Sequence, residues 1–163
     1  MKKNNKGFSL IELLIVIAVI AVVTSASTVT FQMIYNAKVS TAARKVQSYC
    51  KTVRLNNMTK AQLKYIHIFR DGSGEYYINI DENKSTDTSK KDEAIGNPSL
   101  AIKYVTASSS SVANNITIFF DRNGQCEILK GASRIDDVIQ LRFTNGSRIS
   151  NVNISKVTGK VTM

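Results

Sequence analysis

The stretch Lys6–Val23 reads KGFSLIELLIVIAVIAVV, and it decides the fold of the chain. After a Gly-Phe step, the sixteen residues Phe8–Val23 form an apolar run that only Ser9 and Glu12 interrupt. A charged residue near the middle of a membrane costs about 2.5–3.5 kcal/mol on insertion scales. We therefore expect Glu12 to have a binding partner or a function.

Two ways of processing this segment suit its composition. The lysines before the apolar run and the small residues after it are typical of a secretory signal cut after Ala26. A discarded signal gains nothing from a carboxylate, whereas a retained helix can pair Glu12 with a cation. A cut between Gly7 and Phe8 would create such a cation, the new amine of Phe8. The sequence favours this second cut.

The six residues Gly7–Glu12, GFSLIE, resemble the G-F-[S/T]-L-[I/L]-E leader of type IV prepilins and type II secretion pseudopilins. The resemblance implies cleavage after Gly7 by a prepilin peptidase, N-methylation of Phe8 and use of Glu12 in filament assembly. On a helix that rises about 1.5 Å per residue, the Phe8 amine and the Glu12 carboxylate lie about 6 Å apart along the axis. A similar stagger between subunits would pair the two groups and neutralise both.

The leader also predicts the topology of the chain. Positive residues beside a membrane span stay in the cytoplasm, so residues 24–163 are expected outside. The predicted regions are a leader peptide at 1–7, the transmembrane and assembly half of a helix at 8–29, its amphipathic half at 30–57, and an extracellular β-rich domain at 58–163. The expected product is a single-pass membrane protein that then enters a cell-surface or extracytoplasmic filament. Its implied partners are other pilin subunits, the prepilin peptidase, the assembly machinery and membrane lipid, and no cofactor is expected.

Helical periodicity continues beyond the apolar run. Apolar residues recur at steps of three and four, which predicts one helix of about fifty residues, while an anchor followed by a separate helix is the alternative. Thr24–Thr30 is its weakest helical part. The members of this stripe are Phe31, Ile34, Tyr35, Val39, Ala42, Ala43, Val46, Tyr49, Cys50 and Val53.

After Asn56-Asn57 the period changes to two, which indicates strands. The predicted fold is α+β, a long N-terminal helix packed by its second half on an antiparallel sheet, as in pilins. Asp81–Ser99 is expected to be an exposed loop and Ala107–Ala113 a flexible crossing. The predicted strands are Leu63–Arg70, Glu75–Asp81, Leu100–Thr106, Asn115–Asp121, Gln125–Lys130, Val138–Thr144, Ser147–Ser155 and Val157–Met163.

The last third of the chain is similar to the C-terminal end of GspH and FimT-like minor pilins. It carries ITIFFDRNGQC, VIQLRFTNG and NISKVTGKV, in which paired strands precede a Thr-Gly-basic turn. The resemblance implies a minor pilin. A pseudopilin of a type II secretion system and a DNA-capturing competence pilin are the alternatives.

Catalytic and metal-binding patterns are weak. His67 is the only histidine and falls in a strand, so a structural role is expected, and an enzyme is not. A calcium-loop spacing runs from Asp81 to Asp92, but Thr86 replaces the turn glycine and three lysines repel a cation, so no metal site is predicted. The residues at this spacing are Asp81, Asn83, Ser85, Asp87, Ser89 and Asp92.

The chain has two cysteines and an excess of basic over acidic residues. Cys50 and Cys126 are both predicted to face inward, where they form either a disulfide, which an oxidising compartment permits, or two buried thiols. The formal net charge is +10, and seven basic residues lie between Arg122 and Met163. They are spread along strands with few aromatic neighbours, so nucleic-acid binding is not favoured.

Overall fold

The computed structural model describes residues 9–60 and 62–163, without the side chains of residues 25–37. In this part of the chain lie one α-helix and eleven β-strands. The predicted α+β class and the fifty-residue helix are confirmed. The elements are α1 (Leu10–Thr59), β1 (Tyr65–Arg70), β2 (Tyr76–Asp81), β3 (Glu93–Gly96), β4 (Ala101–Thr106), β5 (Ser110–Val112), β6 (Asn115–Phe120), β7 (Cys126–Lys130), β8 (Ser133–Ile135), β9 (Val138–Asn145), β10 (Arg148–Ile154) and β11 (Val161–Thr162).

The chain divides into two compact units, Met1–Tyr35 and Asn36–Met163. In the first unit, the side chains of residues 9–24 are all exposed, although most of them are apolar. Among the described residues, no helical stretch has both the length and the hydropathy that crossing a membrane requires. The expected span at 8–29 also includes Phe8, which lies outside the described residues, and five side chains that are not described.

In the second unit, the helix buries one stripe against the strands. The described members of the predicted stripe lie in the core, with Tyr49 at its margin, while Arg44 and Lys51 on other faces are exposed. Phe31, Ile34 and Tyr35 have no described side chains. The period of 3.6 therefore identified the buried face correctly. The buried residues of this stripe are Val39, Ala42, Ala43, Val46, Cys50 and Val53.

The strands form two antiparallel sheets where the sequence predicted one. Sheet A has the order β3-β2-β1-β6-β7-β8, and sheet B has the order β11-β10-β9-β4-β5. Inward-facing residues of both sheets, such as Ile68 and Phe143, belong to the same buried cluster as the helix stripe. One apolar core therefore unites α1 with both sheets.

The predicted hairpins are confirmed. β1 pairs with β2, β6 with β7, and β9 with β10. The last turn is shifted by one residue from its predicted place: Asn145 pairs with Arg148, so Gly146 and Ser147 form the loop. Gly146 has a φ of +57° and takes the first loop position, where a two-residue hairpin favours glycine.

Several short strands were missed or misplaced. The predicted exposed loop contains β3, and the predicted flexible crossing contains β5, which pairs with β4. β8 was not predicted, and the closing strand is only Val161–Thr162. All four lie at sheet edges, where a neighbour supplies backbone partners to a sequence with little strand character of its own.

Polar side chains fasten the helix to the strands. The buried Asn57 amide donates to the carbonyls of Lys64 (2.9 Å) and Phe120 (2.8 Å), and its Oδ1 accepts from the Lys64 N–H (2.9 Å). Arg54 donates to the carbonyl of Thr158 at 2.8 Å. These bonds fix the C-terminal end of α1 to the start of β1, the end of β6 and the turn before β11.

Residues 82–92, which we call the cover segment, lie over the outer face of sheet A. Asn79 donates to the carbonyls of Asp87 and Lys90, and its own Oδ1 accepts from the N–H of Asp92. Under this segment His67, Asn79 and Thr117 are buried although they are polar. The predicted loop is therefore a structural layer, even though most of its side chains are exposed.

Candidate functional site

The start of α1 is built around Ser9 and Glu12. The Glu12 N–H donates to Ser9 Oγ at 3.2 Å, and the Ser9 N–H donates to Glu12 Oε2 at 2.9 Å. The Leu13 N–H donates to the Ser9 carbonyl at 3.2 Å, which begins the helical ladder. This is a capping box, in which a hydroxyl and a carboxylate three residues apart satisfy two backbone donors that would otherwise have no partner.

The capping box gives Glu12 a local role in addition to the expected pairing between subunits. Its negative charge also lies in the first helical turn, where the helix dipole favours an anion. Only Oε2 is used by Ser9, and within the described residues Oε1 has no hydrogen-bond partner. Glu12 is exposed, so this second oxygen is accessible to another molecule. Gly7 and Phe8, the predicted cleavage and methylation residues, lie outside the described residues.

The helix that follows Glu12 presents apolar side chains on all sides. No residue from Leu13 to Val23 is polar, so an amphipathic stripe is not formed here. An apolar surface of this extent suits burial in lipid or against other apolar helices. The large exposed side chains are Leu10, Ile11, Leu13, Leu14, Ile15, Val16, Ile17, Val19, Ile20, Val22 and Val23.

Residues 2–28 match the family model of the prokaryotic N-terminal methylation motif. This motif is typical of type IV pilin-like proteins, which are structural subunits and include the pseudopilins. The matched residues contain Gly7, Phe8 and the capping pair Ser9 and Glu12. No curated protein and no solved structure matched the chain.

The two cysteines are both buried and both free. Burial, followed by the nearby Cys126, raises the pKa of Cys50 well above its ordinary value. Burial raises the pKa of Cys126 to about 12, with the adjacent Glu127 as a second cause. The thiolate is the reactive form of cysteine, so both side chains are poor nucleophiles in the folded protein.

The structure brings a hydroxyl, a histidine and a carboxylate together where the sequence indicated no such set. His67 Nε2 lies 3.1 Å from Asp81 Oδ1 and 3.0 Å from the Asn83 carbonyl. Both are acceptors, so we place the proton of neutral His67 on Nε2. Nδ1 then accepts from the Thr117 hydroxyl at 2.9 Å. His67 is fully buried, in agreement with the structural role expected for it.

The residues with calcium-loop spacing do not converge on one point. Asp81 contacts His67, Asp87 accepts from Ser89, and Asp92 pairs with Lys90 at 3.5 Å. Among the described residues, no group of three or more His, Cys, Asp or Glu side chains is placed to hold a metal ion. The spacing instead serves turns of the cover segment.

The acidic residues of the strands are confined to sheet A, whereas basic residues occur on both sheets. The five strands of sheet B contain neither Asp nor Glu. Lys103 and Arg142 are direct cross-strand partners on this sheet, and Arg142 is in turn opposite Asn151. Arg134, on sheet A, is instead paired with Glu127 at 2.8 Å. Among the described residues, Lys103 and Arg142 form no ion pair, in contrast to Arg134 on sheet A.

Proposed function

We propose that this chain is a minor structural subunit of a type IV pilus or a related filament. The observation that carries the proposal is the N-terminal methylation motif at residues 2–28. In this proposal a prepilin peptidase cuts after Gly7, the new Phe8 amine is methylated, and residues 8–29 hold the chain in the membrane. The domain outside the membrane then enters a filament with other pilin subunits, through the assembly machinery.

The geometry of Glu12 supports its use in assembly. Its Oε2 holds the helix start through Ser9, while Oε1 is left to accept a hydrogen bond from a second chain. The methylated amine of a neighbouring Phe8 would supply both the proton and the opposite charge. Pairing removes the cost of burying either charge alone in an apolar filament core. The same carboxylate can thus cap its own helix and bind the next subunit.

Mass spectrometry of the intact protein tests the processing step. The full-length chain is co-expressed with a prepilin peptidase and its N-terminal methyltransferase activity, then purified from membranes. We expect the mass of residues 8–163 plus one methyl group. A product that begins at Ser27 would show secretory-signal cleavage and would overturn the proposal.

The rank of the subunit is tested by its abundance along filaments. The resemblance of the C-terminal strands to GspH and FimT-like proteins favours a minor subunit. Sparse immunogold labelling, with filaments lost or reduced after deletion of the chain, is the expected result. Dense uniform labelling would make it the major pilin. Intact filaments with a defect in protein export would identify a pseudopilin of a type II secretion system.

Nucleic-acid capture is a second candidate function. Sheet B favours it, because its five strands contain no Asp or Glu. Lys103, Arg142 and Arg148 carry positive charge on its strands, and Lys160 adds a fourth on the adjoining turn. Within the described part of the chain, none of the four forms an ion pair. Phosphate groups bind such side chains largely independently of sequence.

Salt dependence tests this second function. Binding of the full chain in detergent to duplex DNA is measured over a range of salt concentrations. If Lys103 and Arg142 each contact a phosphate, replacing both with Gln makes the negative slope of log K against log salt shallower by about 1.8. Arg134→Gln is the matched control, because Arg134 is neutralised by Glu127. Equal effects of the double variant and the control would exclude a binding face on sheet B.

A further inference from the structure

A cleft of about 340 Å³ opens between the cover segment and the β7–β8 turn. Its size is at the lower end of the range for small-molecule sites, about 300–1,000 Å³, and suits a single sugar ring. It lies within the second unit and contains none of the residues of the methylation motif. Its lining residues are Lys84, Ser85, Thr86, Asn115, Gly131 and Ala132.

The wall of the cleft is held in place by buried groups behind it. The Thr86 hydroxyl donates to Asn115 Oδ1 at 2.9 Å and lies 3.1 Å from His67 Nδ1. Asn83, two residues before Ser85, is fixed on the other side by its carbonyl, which accepts from His67. Lys84 and Ser85 therefore lie between two anchored residues. A site whose groups are fixed before binding loses little conformational entropy when the ligand arrives.

The chemistry of the lining is rich in donors. Because Asn115 Oδ1 accepts from Thr86, the group that Asn115 offers to a ligand is its amide nitrogen. Among the described residues, Lys84 forms no ion pair, and no carboxylate lines the cleft. An ammonium and an amide N–H₂ together complement a carboxylate. The Thr86 hydroxyl is engaged by Asn115, so the Ser85 hydroxyl is the one that complements the hydroxyl groups of a ligand.

Two small residues keep the cleft open. Lys130 pairs with Ser133, so Gly131 and Ala132 form the β7–β8 turn. Gly131 has a φ of +60°, and the space around its Cα is open. A larger side chain at Ala132 would occupy the volume that a ligand needs. The methyl groups of Ala132 and Thr86 leave a small apolar surface for the carbon face of a sugar ring.

We propose that this cleft binds a small hydroxylated carboxylate, of the size and chemistry of one uronic-acid unit. Lys84 and the Asn115 amide would bind the carboxylate, and the Ser85 hydroxyl would bind the ring hydroxyls. Binding is a property of the second unit and does not depend on whether the chain enters a filament.

Calorimetric titration of the full chain in detergent micelles tests the site. The probes are sodium glucuronate, glucose and sodium acetate. We expect glucuronate to bind with a dissociation constant in the millimolar range, about 1 mM, and glucose and acetate to bind at least tenfold more weakly. Glucose binding as tightly as glucuronate would overturn the role of the carboxylate, and acetate binding as tightly would overturn the role of the hydroxyls.

Three variants locate the binding. Lys84→Gln removes the cation and Ala132→Leu fills the cleft, and each is expected to weaken glucuronate binding roughly tenfold or more. Lys90→Gln is the control, since Lys90 lies on the same segment, contacts Asp92 and does not line the cleft. Circular dichroism confirms that all three variants are folded. Failure of glucuronate to bind, or binding that neither cleft variant changes, would overturn the proposal.

Discussion

At the scale of single residues, Glu12 carries two roles that mutation can separate. It caps its own helix through Ser9, and in the proposed function it binds the amine of another subunit. A cap is worth about 1 kcal/mol of helix stability, which a long helix tolerates. Loss of a charge pair in an apolar core leaves the partner amine unpaired, which costs about 3–5 kcal/mol. Assembly should therefore depend on the carboxylate far more than on the cap.

Glu12→Ala is expected to be processed and inserted in the membrane normally but to be lost from filaments. Ser9→Ala is the matched control, because it removes the cap hydroxyl and leaves the carboxylate. Western blots of sheared filaments and of membranes measure both. If the two variants are lost from filaments to the same degree, helix capping explains the effect, and pairing between subunits does not.

Asn57 is a polar residue whose loss should markedly weaken the second unit. It makes three hydrogen bonds from a fully buried position. Asn57→Ala leaves the Lys64 and Phe120 backbone groups without partners, so the free energy of unfolding should fall by about 3 kcal/mol. Asn56→Ala, one residue earlier and half-buried, should change it by less than about 0.5 kcal/mol. Urea unfolding of the two variants provides the comparison, and equal midpoints would contradict the role of Asn57.

At the scale of elements, Cys50 on α1 and Cys126 on β7 report how the helix packs on sheet A. Both are buried and free, and burial raises the pKa of each thiol. Iodoacetamide at pH 8 should label neither cysteine in the folded protein and both in urea without reductant. Rapid labelling before unfolding would contradict the packing. Labelling in urea only after addition of reductant would instead show that the two form a disulfide.

The cover segment is held at its end by an ion pair that makes its stability depend on pH. Lys91 lies 2.7 Å from Asp71 Oδ2, and this contact, followed by the Ser73 hydroxyl, holds the pKa of Asp71 well below its usual range. A carboxyl with a lowered folded-state pKa stabilises the fold fully above its unfolded pKa, about 3.9. The stabilisation is lost as the pH falls through the lowered value.

Lys91→Met should raise the pKa of Asp71 towards its usual value, as measured by NMR titration of the carboxyl carbon. Its melting temperature should be lower than that of the wild type at pH 6 and should converge with it in strong acid. Lys84→Met provides a control on the same segment, because Lys84 has no acidic partner among the described residues. An unchanged Asp71 pKa in Lys91→Met would contradict the ion pair.

The elements also show which parts of the fold are predictable from sequence. The helix and the three hairpins follow from periodicity and turn residues, because those signals are local. β5 has the sequence SSV and pairs only because β4 offers it an edge, so no local pattern indicates it. The contact of His67 with Asp81 joins residues fourteen positions apart across a hairpin, and its burial depends on the cover segment. Glu12 was identified from the cost of its charge, but its capping bond was missed, although Ser9 and Glu12 three residues apart before an apolar run are a capping-box signal in the sequence.

At the scale of the whole molecule, two units of opposite character share one helix. The first has an exposed apolar surface and the methylation motif, while the second has a closed core and polar faces. This division suits the proposed subunit, which is held by its N-terminal segment and displays its C-terminal domain. Sheet B and the cleft between the cover segment and the β7–β8 turn are the two surfaces that we propose to bind ligands.

In the proposed function, the processed chain is built into a filament through its N-terminal helix. The most direct measurement is mass spectrometry of the N-terminal peptide of this chain in sheared, purified filaments. We expect a peptide that begins with methylated Phe8 and retains Glu12. A chain that is abundant in membranes but missing from filaments, or one that begins at Met1 or Ser27, would contradict it.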